Sequence, residues 1–129
     1  MAKLWFDPFG NEAPWPISYK NTAIISERLS MPGKLYDSGS FPAAIYQKNA
    51  TTIVHGNLHA IVDSSALFQQ LDRYEGYNPG EPTDSLFVRK VISVNYDNES
   101  AIASTYLYNH PTNKLNWIRS GRLPDLPTQ

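Results

Sequence analysis

The chain has 129 residues, 41% of them hydrophobic, a formal net charge of −1 and no cysteine. That length fits a single domain over residues 1–129 with a core that needs no staples. A near-neutral balance without a basic stripe argues against nucleic-acid binding, and the missing thiols exclude disulfides and thiolate metal sites.

In chain order, "MAKLWFDPFG" lacks the apolar run of a signal peptide, and no stretch is long enough to span a bilayer. The expectation is a cytoplasmic protein with no membrane partner. Residues 8–18, "PFGNEAPWPIS", are proline-rich and read as an ordered loop. "NTAIISERLS" and "PGKLYD" have strand composition and are separated by an expected turn at "MPG"; "DSGSFP" is a second turn. "TTIVHGNLHAIV" is β-rich, with Gly56 marking a bulge or a close backbone approach. The stretch "DSSALFQQLDRYEG" reads as a helix that Asp63 or Ser64 can cap, with Leu67, Phe68, Leu71 and Tyr74 as its apolar stripe. "LFVRKVISVNY" and "AIASTYLY" are two further β runs joined by "DNES". "NHPTNKLNWIRSGRL" reads as a turn with a short helix, and "PDLPTQ" as a tail. Many strands and one helix argue for an α+β domain on a curled, mostly antiparallel or mixed sheet.

Two features invite chemistry. His55 and His59 in "HGNLH" are four apart, but the zinc-protease pattern needs a glutamate where Gly56 stands, a helix beneath it and a third ligand. On a strand, residues 55, 57 and 59 share one face, so a polar sheet face is the plainer reading and no metal site is expected. Glu75 is the second feature. It falls in the last helical turn, before a stop glycine, where unpaired carbonyls disfavour an anion. Partial burial beside Tyr74 and Tyr77, with the helix C-terminus, would raise its pKa toward general-base use; Arg73 would oppose that shift. A surface acid at a helix end is the plain alternative. Neither a nucleophile elbow nor a P-loop nor a dinucleotide fingerprint occurs.

The segments "GKLYDSGSFPA", "VHGNLHAI", "LDRYEGY", "FVRKVISV", "AIASTYLY" and "IRSGRL" follow one another in a telling order. Over residues 22–123 the chain resembles the gamma-glutamylcyclotransferase-like family, whose members show G-x-LYDLG-x-YP, V-x-GELY, LD-x-YEG, Y-x-R-x-x-V-x-V, A-x-VYLY and I-x-SG-x-W. The resemblance implies a small mixed β-barrel with flanking helices. It also implies cyclisation of a small-molecule gamma-glutamyl compound to 5-oxoproline with release of an amine, without a metal or organic cofactor. Glu75 takes the place of the family's acid/base. The implied substrate-binding residues are Phe6, Asp7, Pro8, Phe9 and Phe87, with Tyr36 and Gly39 in a pocket under "YDSGSFP".

The sequence departs from that pattern at the N-terminal loop, where Phe6, Asp7, Pro8 and Phe9 replace Y-G-[ST]-L or Y-G-S-N. Pro8 has no N–H to donate, and Asp7 sets an anion beside an anionic ligand. Phe87 replaces a tyrosine, while Arg89 matches; Asn57 and His59 stand for the glutamate and tyrosine of GELY. Three readings follow: a cyclotransferase, a catalytically silent binding module on the same fold, and a β-rich interaction domain unrelated to the family.

Overall fold

A computed structural model describes residues 3–8, 22–61, 64–96 and 99–123. It contains the strands β1 (Lys3–Asp7), β2 (Thr22–Asp37), β3 (Pro42–Tyr46), β4 (Ile53–Ile61), β5 (Phe87–Tyr96), β6 (Glu99–Tyr108) and β7 (Asn116–Ile118). A helix α1 (Ser64–Glu75) and a single 3-10 turn (Pro82–Asp84) complete the described elements. The expected proline-rich loop and the capping Asp63 lie outside the described residues.

Five strands close a barrel in the order β2-β4-β1-β6-β5, with β5 returning to β2 at the pair Ser30–Asn95. The barrel is mixed because β1 runs parallel to β6 (Trp5 opposite Ser104) and antiparallel to β4. Closure removes the exposed edges that an open sheet of these strands would leave. β1 is a central member that its composition did not announce: "KLWFD" is short and shows no clean alternation.

The expected "MPG" turn is absent. β2 runs on through Pro32 and Gly33 and changes partner there, pairing with β4 as far as Pro32 and with β3 from Gly33. A Cβ at Gly33 would stand 2.0 Å from the Ile45 carbonyl oxygen, so glycine is needed for the crossing and not for a reversal. "DSGSFP" does turn, joining β2 to β3, with the Gly39 N–H donating to Asp37 Oδ1 at 2.8 Å. At Gly56 the close approach holds: a Cβ there would meet the Asp7 carbonyl oxygen at 2.5 Å. No short helix forms in "NHPTNKLNWIRSGRL"; the segment carries β7 instead, which adds to the far end of β2.

Alternation sorts side chains to two cores. Phe6, Leu29, Met31, Leu35, Val54, Leu58, Val94 and Leu107 fill the barrel. Trp5, Ile61, Phe87 and Tyr106 face outward and are covered by Leu67, Phe68 and Leu71 of α1. Leu67, Phe68 and Leu71 form the expected stripe, but Tyr74 does not continue it: it is 45% exposed, and Asp72 and Glu75 take buried positions one turn apart. Among the described residues no helix is long and apolar enough to cross a membrane.

Candidate active site

The end of α1 is built by glycine. Gly76 has φ +70, the Tyr77 N–H donates to the Asp72 carbonyl at 2.8 Å and the Gly76 N–H to that of Arg73 at 3.3 Å. This is a Schellman closure, so carbonyls that a helix end leaves open are satisfied by the turn itself. Leu86 N–H then donates to the Gly76 carbonyl at 3.1 Å, tying the turn to the start of β5. Glu75 is the last helical residue before this stop, and its side chain is turned inward, only 6% exposed.

Burial pushes the Glu75 carboxyl up from 4.5 to about 8, and the negative charge of Asp7 adds to the shift. The sequence reading expected this direction and burial as a cause; the second contributor is Asp7, not the helix C-terminus. Desolvation leads and a second acid follows, while Tyr74 and Arg73 are both turned to solvent.

Strand parity brings Asp7 there. Trp5 and Asp7 share the outer face of β1, and Leu71 and Glu75 lie one turn apart on α1. Trp5 packs in the same cluster as Leu71, and the charge of Asp7 acts on Glu75. Asp7 is 1% exposed. Asn57 is its partner across the β1–β4 ladder, and His59 pairs with Trp5. The His59 ring stacks on Trp5 at 4.7 Å, and its Nε2 lies 4.0 Å from Asp7 Oδ2. Burial lowers the pKa of His59, so the imidazole is neutral at neutral pH. The polar face expected at residues 55, 57 and 59 is therefore buried at 57 and 59, whereas His55 is half-buried and its backbone N–H donates to the Gly121 carbonyl at 2.8 Å. Among the described residues no three His, Asp or Glu side chains are grouped to hold a metal ion.

A charged ledge flanks Glu75 on the helix. Tyr106 O–H donates to Asp72 Oδ1 at 2.6 Å, and Arg89 Nε lies 3.1 Å from the same oxygen. The Arg89 guanidinium covers the Phe68 ring at 4.5 Å. Burial, then the bond to Asp72, raises the Tyr106 pKa far above the ordinary phenol value, so it stays a donor. Asp72, Tyr106 and His59 were not among the expected site residues. Asp72 was findable, three before Glu75 on one helical face; Tyr106 needed the strand register.

The remaining expected site residues are distributed as follows. The Phe6 ring points into the barrel and its carbonyl accepts from Thr105 Oγ1 at 2.8 Å, so the side chain is on the face opposite Asp7. Pro8 is buried in the turn after β1, and Phe9 lies outside the described residues. Tyr36 packs partly buried against the cluster under α1. Gly39 is exposed with φ +91, and nothing lies within 4 Å of the place of a Cβ. Phe87 is buried edge-on between Phe41 and Tyr108, each at 5.7 Å between ring centres. The structure thus brings Asp7 and Glu75 together, sets Phe87 and Tyr36 nearby in the helix-side core, and leaves Gly39 at a solvent-facing tip.

Residues 14–124 match the family model described as gamma-glutamyl cyclotransferase, AIG2-like. No curated protein matches the chain. The fold is similar to that of YkqA from Bacillus subtilis, with a TM-score of 0.69 and 18% identity over 95% of this chain and 39% of that one. The chain therefore spans about two fifths of the length of YkqA. The solution structure of ytfP from Escherichia coli matches with a TM-score of 0.63 and 20% identity, over 95% of this chain and 96% of that one. An uncharacterized protein from Pyrococcus horikoshii, PH0828, matches at 0.58 and 11% identity, over 93% and 88% of the two chains. At these identities the likeness is one of fold.

Proposed function

We propose that this chain, which belongs to the AIG2-like gamma-glutamyl cyclotransferase family, cyclises a gamma-glutamyl amine or amide, with Glu75 as its acid and base. The observation that carries the reading is the burial of Glu75 with a pKa raised to about 8. An α-amino group titrates at roughly 8 as well, so a proton passes between the two at little cost.

In this reading the ionised Glu75 takes one proton from the substrate's α-ammonium. The freed amine attacks the γ-carbonyl carbon of the same molecule, and a C–N bond closes the five-membered lactam. Glu75 returns that proton to the departing nitrogen as the original amide bond breaks, then takes the second surplus proton from the new ring nitrogen and passes it on to the released amine, so that a neutral 5-oxoproline lactam and an ammonium leave. Folding the glutamyl chain supplies the approach, since well-oriented intramolecular attacks reach effective molarities of roughly 10⁵ M or more. Asp72, clamped by Tyr106 and Arg89, fixes the helical turn that aims Glu75.

A second reading, a silent binding module on the same fold, is favoured by two observations. Phe87 offers only a hydrocarbon edge where the family motif has a hydroxyl, and Asp7 sets a second buried acid beside Glu75. Incubating the protein with a panel of gamma-glutamyl compounds and detecting the 5-oxoproline ring by mass spectrometry separates the two. The cyclotransferase reading expects ring formation from at least one member, and the binding module expects none.

A further inference from the structure

We infer that Phe41, Phe87 and Tyr108 form the leaving-group wall of this site, and that it takes gamma-glutamyl amides of aromatic or bulky apolar amines that carry no carboxylate. The inference rests on the cyclisation reading for the glutamyl half of the ligand; its own evidence is the wall and its place beside Glu75. Two ties fix that place. Asp72 Oδ1 accepts from Tyr106 O–H at 2.6 Å and lies 3.1 Å from Arg89 Nε, and Arg89 and Tyr106 stand opposite one another in the β5–β6 ladder. One turn later the Gly76 carbonyl accepts from Leu86 N–H at 3.1 Å, beside the next outward rung, where Phe87 stands opposite Tyr108. Glu75 directly precedes Gly76, so α1 carries it from the first rung to the second. Phe87 packs there in one cluster with Leu71 of the helix.

The three rings touch pairwise. Phe87 meets Phe41 and Tyr108 edge-on, each at 5.7 Å between centres, and Phe41 lies 6.2 Å from Tyr108. Phe87 is buried, Phe41 and Tyr108 are partly buried, and the exposed His110 ring meets Tyr108 at 5.7 Å. The aromatic surface therefore runs from the rung beside the acid out to solvent. A leaving nitrogen must reach Glu75 to be protonated, so its substituent starts at this rung and has that surface to lie on. The composition of the wall decides what suits it. Phe41 and Phe87 both stand where the family motifs have tyrosine, in G-x-LYDLG-x-YP and Y-x-R, so two hydroxyls are missing from it. A group laid there loses water and gains few hydrogen bonds, which disfavours polar parts of a ligand and favours a ring. A leaving amino acid would set its carboxylate one carbon from the departing nitrogen, against these rings. Arg89, on the neighbouring rung, is already engaged with Asp72. An arylalkyl amine brings no such charge.

Glutaric monoamides keep the glutamyl carbon chain but lack the α-amine, so they bind without cyclising. In calorimetry on the natural chain, the N-(2-phenylethyl) monoamide binds more tightly than the N-ethyl monoamide and than glutaryl-phenylalanine, by roughly tenfold or more in each case. Equal affinities, a preference for either of the other two, or no binding of any overturns the inference. Phe41→Leu, shown to be folded by circular dichroism, narrows the preference over the ethyl compound; a folded variant that keeps it in full overturns the assignment to the wall. The comparison within the natural chain stands even if that variant does not fold. Failure here is distinct from failure of the cyclisation reading. Formation of 5-oxoproline at equal kcat/KM from gamma-glutamyl 2-phenylethylamide and gamma-glutamyl ethylamide removes this inference alone. A phenylethyl preference in binding, without ring formation from any gamma-glutamyl compound, removes the enzyme and leaves the wall.

Discussion

At the scale of single residues, Glu75 is held protonated at neutral pH by desolvation and by Asp7, and both effects reach stability as well as rate. Its folded pKa of about 8 exceeds the unfolded 4.5, so between these values the folded state binds more protons than the unfolded one. Stability then falls as pH rises through that window, at up to about 1.4 kcal/mol per pH unit. Glu75→Gln, which cannot ionise, removes this slope. Urea unfolding at several pH values is expected to show the variant gaining on the natural protein from pH 5 to pH 8; parallel curves would contradict the buried acid. The same ionisation sets the rate. The acid limb of kcat/KM is expected near pH 8, and a rate flat down to the free-glutamate value of about 4.3 would sink the assignment. Tyr106 gives a third check. Tyr106→Phe removes the 2.6 Å bond to Asp72 and is expected to cost about 1.5–3 kcal/mol in denaturant unfolding.

At the scale of elements, the site is made where β1, β4 and α1 meet, and Gly56 sets the spacing. A Cβ there would press on the Asp7 carbonyl at 2.5 Å and the Phe6 ring at 2.6 Å. Gly56→Ala is therefore expected to destabilise by about 1–3 kcal/mol or more and to displace Asp7. A thermal midpoint within a degree of the natural protein's would show that the strands can part freely. This glycine was legible in the sequence, as were α1, the β5–β6 pair and the turn after β2, because each carries a local periodicity or a turn signature. Three features were not legible. "MPG" carries a turn signature, yet Gly33 serves a crossing of β2 over Ile45, a contact set by a distant strand. β7 is three residues long and takes its strand form from pairing with β2. Tyr74 fits the helical apolar period, but the helix is rotated so that Asp72 and Glu75 are covered in its place. Glu75 was identifiable from its misplaced charge; its coupling to Asp7 was not, since that depends on which face of an unexpected strand looks at the helix.

At the scale of the whole molecule, barrel closure turns six short and individually weak motifs into one site. β1 sits between β4 and β6, and the Thr105 hydroxyl clamps the Phe6 carbonyl at 2.8 Å, which fixes Asp7 one residue later. The helix crosses outside the barrel and delivers Glu75 to that same place. The Phe6 ring fills the barrel, so the N-terminal strand keeps its place in the fold although its sequence departs from the family pattern. The account's central claim is that Glu75 moves the proton in a lactam-forming reaction. It is tested most directly by incubating the natural protein and Glu75→Gln with gamma-glutamyl amides and quantifying the 5-oxoproline ring by mass spectrometry. The account predicts ring formation by the natural protein, falling roughly 10²- to 10⁴-fold in the variant. Ring formation at the same rate by both proteins would contradict it.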